Sequence, residues 1–184
     1  LTTSIPEDPG SGRNWDYRYC WIRDAYFTVH ALNRVGATRT MERFIEYITN
    51  VIVQEHGPAL KPVYAILPEK SLAEREASAL KGYRDHGPVR IGNAAVEQTQ
   101  HDVYGSVILA ASQMFFDERL PKKGDKALFY LLEPFGIHAL NKALTPDAGI
   151  WEYRGRSRIH THSAAMCWVA CDRLARIATL LNLR

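Results

Sequence analysis

The sequence lacks most of the features that mark a specialised class of protein. It has three cysteines among 184 residues and no Cys-x-x-Cys pair, so we expect neither a disulfide framework nor a zinc site. No apolar run approaches the roughly 20 residues of a membrane span. The formal net charge of +3 gives no general reason to expect nucleic-acid binding. Because 46% of the residues are apolar and 23% are charged, the composition is that of a globular domain.

The cysteines, two of the histidines and the first residue of the sequence each support one general prediction. Cys20, Cys167 and Cys171 are predicted to be reduced core thiols, and unpaired thiols favour a cytoplasmic setting. His160 and His162 are two residues apart, so a helix would not direct both at one metal, and no metal site is expected. We expect no signal peptide within these residues. Since the sequence does not begin with methionine, we expect the native N-terminus to lie further upstream.

Apolar periodicity predicts one helical domain portion over 21–184, preceded by an extended entry segment at 1–20. A short strand is expected within 61–68 and a helical turn around Leu72–Leu80. The last helix is expected to begin at His162 or Ser163, with Ser163 as a candidate N-cap, and to run to Leu181. The other predicted helices are Trp21–Val35, Thr38–Gln54, Ala94–Phe116 and Asp125–Leu144, the last disturbed near Pro134.

The segment RNWDYRYCWIRDA, residues 13–25, combines large rings with charges. Alternation places four rings on one side of an extended segment, where they either cap a helical core or line a ligand pocket. Arg23 and Asp24 follow directly, and charged residues are rarely buried unless they are paired. An Arg–carboxylate pair beside a ring suits a polyhydroxylated sugar, because the charges bind hydroxyls and the ring covers C–H groups. The four rings are Trp15, Tyr17, Tyr19 and Trp21.

The segment GIWEYRGRSRIHTHS, residues 149–163, places Glu152 between Trp151 and Tyr153. Rings that exclude water disfavour the charged form of a carboxyl group, which could then donate a proton to a leaving group. Alternatively, Glu152 is a surface residue whose ionised form is favoured by nearby arginines. Spacing alone leaves both interpretations open. The arginines concerned are Arg154, Arg156 and Arg158.

The segment PVRIGNAAVEQTQHDVYG, residues 88–105, carries a polar face on the predicted third helix. Such a face is usually solvated, although Gly105 in mid-helix favours close packing with a neighbour. Residues four apart on a helix share a face. The pairs are Gln98 with Asp102, and Glu97 with His101.

Four motifs occur in one order between Arg13 and about Ala178. Together they resemble glycoside hydrolase family 15, the glucoamylase-like enzymes, and most of all its prokaryotic branch, which includes trehalases. The resemblance implies an all-α fold of the (α/α)6-barrel type, of which this chain would be an incomplete half. The motifs are Trp21-Ile22-Arg23-Asp24; Gly92-Asn93 with Gln98, Asp102 and Tyr104-Gly105; Gly149-Ile150-Trp151-Glu152; and Ser163, Trp168 and Asp172-Arg173.

The resemblance also implies inverting hydrolysis of an α-glucosidic bond, with Glu152 as general acid. Arg23 and Asp24 would hold the hydroxyls of the terminal glucose. The partner would be an α-glucoside, either a maltooligosaccharide or trehalose, with no nucleic-acid or membrane partner. No cofactor is required, since two carboxylates and a water suffice. The other implied substrate-binding residues are Trp21, Trp151 and Arg154.

The chain departs from the family pattern in two respects. Fungal glucoamylases follow the acid with a second Glu, whereas Tyr153 stands here, which favours the trehalase-like branch and leaves the substrate open. Inversion needs a general base roughly 6.5–9.5 Å from the acid, and in this family the base lies far downstream. We therefore expect the base to be missing from this chain. The alternative is a non-catalytic glucoside-binding or regulatory module, and whether the isolated chain is active stays open.

A half barrel would expose the apolar seam that further helices cover, and contiguous exposed apolar surface favours self-association. We therefore predict that the isolated 184-residue chain is oligomeric or poorly soluble. Light scattering of the purified chain tests this prediction, and a stable, monodisperse monomer would contradict it.

Overall fold

The structure is a computed structural model that describes residues 7–55, 57–67 and 71–183. Helices dominate this part of the chain, and the only strands in it are four pairs of residues. The predicted class, an all-α chain consistent with part of an α/α-barrel domain, is confirmed. The helices are α1 (Ile22–Arg34), α2 (Thr38–Gln54), α3 (Asp102–Phe116), α4 (Lys126–Lys142) and α5 (Thr161–Leu180); the strands are β1 (Cys20–Trp21), β2 (Val63–Tyr64), β3 (Arg75–Glu76) and β4 (Arg90–Ile91).

The chain divides into two compact units, which we describe separately. Unit 1 comprises Leu1–Trp21 and Pro62–Gln98, and unit 2 comprises Ile22–Lys61 and Thr99–Arg184. The expectation of an entry segment followed by one helical portion stays a prediction, and residues 1–6 of that segment lie outside the described residues.

Unit 1 contains two small antiparallel ladders. Strands β1 and β2 pair with Cys20 opposite Tyr64, which confirms the strand predicted within 61–68. Tyr19 and Trp21 pack against a small apolar cluster of this unit. Core packing of these two rings is therefore observed, although the core they contact is not a helical one. The cluster consists of Val63, Leu72 and Ala95.

The buried Asp16 binds the first segment of unit 1 to its last. Its carboxylate accepts hydrogen bonds from Arg18 Nε and Nη2 at 2.7 Å each, from the Tyr19 hydroxyl at 2.9 Å and from the Gly92 amide at 3.1 Å. Burial would raise the pKa of Asp16, but the hydrogen bonds from Arg18 and Tyr19 outweigh it and lower that pKa. Some of the charges at 13–25 are therefore structural.

The helical turn predicted around Leu72–Leu80 is wrong. Residues 75–76 form β3 instead, antiparallel to β4, with Arg75 opposite Ile91. The backbone on either side also pairs across the ladder, because Asn93 N–H donates to the Leu72 carbonyl. These hydrogen bonds replace those that a helix would have made.

Unit 2 packs its helices around α3, which contacts α1, α2, α4 and α5. Helix α3 is buried on nearly all sides, as expected for a helix at the centre of a helical layer. Helix α2 has the bounds that the periodicity predicts, Thr38–Gln54, and buries the predicted face. No helix in the described part of the chain is long and apolar enough to span a membrane.

The third predicted helix, Ala94–Phe116, is wrong in its first eight residues. Residues 94–97 form a short 3₁₀ helix in unit 1, Gln98 is extended, and α3 begins only at Asp102. In unit 2, the Thr99 carbonyl and the His101 amide bond to the segment around residue 147 and not to a helix. The two pairs of residues four apart therefore do not share a helical face.

Helices α5 and α4 differ in detail from the predictions. Helix α5 begins at Thr161, and the buried Ser163 is not its N-cap, because its hydroxyl donates to a carboxylate elsewhere in unit 2. Helix α4 continues through Pro134, and the Asp125 side chain caps its start by accepting from the Leu128 amide at 2.9 Å.

Several large apolar side chains along and just after α4 are more than half exposed. They lie on one side of the helix, three or four residues or whole turns apart. The predicted self-association stays a prediction, and these side chains are its natural target. They are Tyr130, Ile137, Leu140 and Leu144.

Gly105 allows α3 to approach α5 closely, as its position in mid-helix predicts. An added Cβ at Gly105 would lie 2.5 Å from the Met166 carbonyl oxygen. At Gly136, by contrast, an added Cβ meets the end of the Leu174 side chain, which can move.

Gly105→Ala should therefore lower the free energy of unfolding by about 2 kcal/mol, because the backbone clash outweighs the gain in helix propensity. Gly136→Ala is the matched control and should change it by less than about 1 kcal/mol. Urea unfolding measures both, and a Gly105→Ala variant as stable as the wild type would contradict the close contact.

Candidate active site

Arg23 is the centre of an ionic cluster within unit 2. Its Nη1 donates to Gln100 Oε1 at 2.9 Å and to Asp102 Oδ2 at 3.0 Å. Its Nη2 lies 3.3 Å from Asp24 Oδ2 and 3.5 Å from Glu152 Oε1. One guanidinium thus faces three carboxylates from three separate parts of the chain.

The first turn of α1 determines how Arg23 and Asp24 are presented. Successive helical residues point about 100° apart, so the two side chains diverge. The Arg23 side chain is 9% exposed, whereas that of Asp24 is 66% exposed. The arginine is therefore a buried anchor, and the aspartate it contacts remains accessible to a solute.

Asp102 is the fully buried carboxylate of the cluster and opens α3. His162 Nε2, from the first turn of α5, lies 3.4 Å from Asp102 Oδ2. Burial would raise the pKa of Asp102, but the contact with His162 and the charge of Arg23 outweigh it and lower that pKa. Burial would likewise lower the pKa of Arg23, yet the charges of Asp102 and Asp24 raise it. The Arg23–Asp102 pair is therefore ionised.

Glu152 lies on a tight turn that begins at Gly149. The Glu152 amide donates to the Gly149 carbonyl at 3.0 Å, and the Tyr153 amide donates to the Ala148 carbonyl at 3.2 Å. Both Gly149 (φ +66°) and Glu152 (φ +53°) are in the left-handed region. That conformation costs a non-glycine residue about 1–2 kcal/mol and persists where surrounding contacts enforce it.

The Glu152 carboxylate points into the cluster. Gln100 Nε2 donates to Glu152 Oε1 at 3.1 Å, next to Arg23 Nη2. The Glu152 side chain is 25% exposed, so it is partly shielded from water and still accessible. The sequence-based alternatives considered only neighbouring rings and the arginines after residue 153, and they missed the arginine of α1.

Asp147 binds together the segments that carry the cluster. Its Oδ2 accepts from the His101 amide and from the Ser163 hydroxyl, each at 2.7 Å. Its backbone forms an antiparallel bridge with Arg158, with N···O distances of 2.9 and 3.0 Å. The start of α3, the start of α5 and both ends of the Glu152 loop therefore meet at one buried residue.

The His160 ring packs against the loop that carries Glu152. Its ring stacks on Tyr153, with centroids 6.1 Å apart and planes 19° apart. A Cβ added at Gly149 would lie 2.6–2.8 Å from the His160 ring. Gly149 thus serves two purposes, since it adopts the left-handed turn and leaves room for the imidazole.

The structure brings three of the predicted site residues together: Arg23, Asp24 and Glu152. Trp151 lies on the Glu152 loop and is 77% exposed, and Arg154 is also exposed there. Trp21 is half-buried in unit 1, where its ring centroid lies 5.5 Å from that of Tyr17.

Sequence reasoning missed Gln100, Asp147 and the role of His162. Gln100 precedes Asp102 by two residues, but the helix predicted there would have turned the two side chains apart. Asp147 lies in the 146–149 segment, whose composition predicts only a turn. Within the described residues, no group of three or more His, Cys, Asp and Glu side chains could hold a metal ion.

The cluster thus joins a carboxylate on a strained loop to an Arg–Asp pair at the start of α1. The family model described as "Glycosyl hydrolases family 15" matches residues 1–184. The chain belongs to this family. The search of solved structures found no significant match to it.

Curated relatives of this family 15 chain include several trehalases. It is 39% identical over 181 residues to "Trehalase" of Mycolicibacterium smegmatis, covering 97% of this chain and 27% of that protein. It is 38% identical over 179 residues to "Trehalase" of Mycobacterium tuberculosis, covering 96% and 26%. It is 34% identical over 177 residues to "Trehalase 2" of Sulfolobus acidocaldarius, covering 96% and 31%. The chain thus spans less than a third of the length of these relatives.

Asp102→Asn should destabilise the protein by about 3 kcal/mol at pH 7, because it leaves Arg23 buried without its main counter-charge. The pKa of Asp102 is lowered from 3.8 in the fold, so its contribution is fully present above about pH 4 and is lost as the pH falls through the lower folded value. The difference between wild type and variant should therefore shrink at pH 3.

Urea unfolding at pH 7 and pH 3 measures that difference. Asp172→Asn on α5 is the matched control, since Asp172 pairs with the exposed Arg176 and should contribute less than about 1 kcal/mol. A difference for Asp102→Asn that is the same at both pH values would contradict the ionised, buried pair.

Proposed function

We propose that the protein hydrolyses an α-glucosidic bond with inversion, that trehalose is the substrate, and that Glu152 is the general acid. One observation carries the proposal: the Glu152 carboxylate and the exposed Asp24 carboxylate contact the same Nη2 of Arg23. The proposed proton donor, Glu152, and the proposed acceptor for sugar hydroxyls, Asp24, are thereby held next to the same guanidinium.

Glu152 is suited to donate a proton to the glycosidic oxygen. The leaving sugar needs a proton as the bond breaks, and a positioned carboxyl group supplies it. The left-handed turn and its hydrogen bonds fix the backbone of Glu152, and the side chain remains accessible. Backbone strain of this kind is concentrated at functional sites, which agrees with this role.

Asp24 and Trp151 are proposed to bind the glucose. The exposed Asp24 carboxylate, which lies 3.3 Å from Arg23 Nη2, would accept hydrogen bonds from hydroxyl groups. The exposed Trp151 would cover the C–H face of the ring. Trp21 and Arg154 stay predicted substrate-binding residues.

The general base is proposed to lie outside these residues. Asp102 is fully buried and paired with Arg23, so it cannot deprotonate a water on the far face of a sugar. Asp24 contacts the same guanidinium as Glu152 and is proposed to bind the glucose hydroxyls, so it is not proposed as the base. An inverting enzyme needs its base roughly 6.5–9.5 Å from the acid, with the water between them.

Two observations favour trehalose over a maltooligosaccharide. The relatives named above are called trehalases, and Tyr153 stands where fungal glucoamylases carry a second Glu. Both substrates share the non-reducing glucose and differ only in the leaving group.

Glu152→Gln in the full-length protein should lower kcat on trehalose by at least about 100-fold, because the amide cannot donate the proton. Wild type should release β-glucose and α-glucose from trehalose in equal amounts and act more slowly on maltotriose. Proton NMR of the anomers, recorded before mutarotation, measures both results. Gln113→Glu on α3 is a control that should leave the activity unchanged.

Near-normal activity of Glu152→Gln would remove Glu152 from the acid role. Release of only α-glucose would contradict inversion. If wild type binds trehalose and hydrolyses neither sugar, the protein is instead a glucoside-binding or regulatory module.

A further inference from the structure

Gln100 is a buried side chain of the cluster around Arg23, and none of the steps proposed above involves it. It is 1% exposed, so it does not present itself to a substrate. Its amide nevertheless lies between the cation and the acid of the cluster, with Oε1 2.9 Å from Arg23 Nη1 and Nε2 3.1 Å from Glu152 Oε1.

The chemistry of the partners determines the orientation of this amide. Arginine has only donors, so the amide oxygen must face Arg23. The amide nitrogen therefore faces Glu152 and donates to it. A glutamine suits this place because it has a donor and an acceptor at one end; leucine would have neither, and a carboxylate would lack the donor.

We propose that Gln100 is the positioning residue that makes Glu152 Oε1 the accepting oxygen and Oε2 the oxygen that carries the transferable proton. This inference rests on the proposed function. Oε1 accepts from Gln100 Nε2 and lies 3.5 Å from Arg23 Nη2, so a hydrogen on Oε1 would point at two donors. The proton therefore resides on Oε2.

The same contacts stabilise the product of the proton transfer. The Oε2–H bond breaks as a new O–H bond forms on the glycosidic oxygen, which takes the electron pair of its bond to the anomeric carbon. Water adds to that carbon and loses a proton to the general base. The new negative charge on Glu152 is stabilised through Oε1 by the Gln100 donor and the Arg23 charge.

Gln100→Leu removes this donor and should move the alkaline limb of the kcat/KM profile upward by about one pH unit, because the carboxylate form of Glu152 loses a hydrogen bond. kcat should fall about tenfold at the optimum while KM changes little, since Gln100 does not touch the substrate. The other charged groups around the same guanidinium are unchanged in this variant: Asp24 on α1, Asp102 on α3 and His162 on α5.

Two further variants of the full-length protein test the role of Gln100 and provide a matched control. Gln100→Glu keeps the shape but replaces the donor with a like charge, so it should move the alkaline limb at least as far upward. Gln113→Leu makes the same Gln-to-Leu change on α3, where the side chain donates to the Leu109 carbonyl, and should leave the limb in place. Circular dichroism checks that each variant is folded.

A carboxyl titration separates this inference from the proposed function. With ¹³C-labelled glutamate, NMR follows the Glu152 signal, assigned by its loss in Glu152→Gln. Its midpoint should rise in Gln100→Leu whether or not any sugar is hydrolysed. An unchanged midpoint and an unchanged limb in both Gln100 variants would overturn the role of Gln100. A raised midpoint without hydrolysis of trehalose or maltotriose would instead overturn the proposed function and leave the hydrogen bond from Gln100 to Glu152 supported.

Discussion

The candidate site depends on one buried cation that serves three carboxylates. Arg23 is almost fully withdrawn from water, and a buried charge is tolerated only when it is paired and hydrogen-bonded. Asp102 satisfies that requirement from inside the fold. Asp24 and Glu152, which share the other amino group, are thereby held at the surface of the same cluster. The guanidinium thus connects the buried Asp102 with two carboxylates that are accessible to a solute.

The irregular backbone of unit 2 follows from that requirement. For Gln100 and Asp102 both to face Arg23, the chain cannot enter α3 as a helix, and the 99–101 segment bonds to the Asp147 region instead. For Glu152 to reach the same cation, its loop adopts a left-handed turn. The bridge between Asp147 and Arg158 closes that loop. These segments do not adopt the helical or right-handed backbone conformations that are locally favoured. Ion pairs and hydrogen bonds, which are stronger where water is largely excluded, offset that loss.

Sequence reasoning succeeded where local pattern decides the structure and failed where distant partners decide it. Periodicity predicts α2 to the residue, because its inner face is continuous and its ends are local. The same reasoning extended α3 backward to Ala94, since the partner of the His101 amide lies 46 residues away. Motif resemblance identified Arg23, Asp24 and Glu152 as a group. It could not identify Gln100 as the residue between Arg23 and Glu152. Gln100 faces Arg23 because α3 begins only at Asp102, whereas the predicted helix would have turned Gln100 away.

We propose that the carboxylates on Arg23 form the acid and the glucose-hydroxyl site of a family 15 hydrolase. A crystal structure of the full-length protein with a sulfur-linked, non-hydrolysable trehalose analogue tests it most directly. We predict Glu152 Oε2 within hydrogen-bond distance of the bridging sulfur, Asp24 on the hydroxyls of one glucose, and Oε1 still on Gln100 and Arg23. An analogue bound away from Arg23, or with Glu152 turned from the bridging atom, would contradict the account.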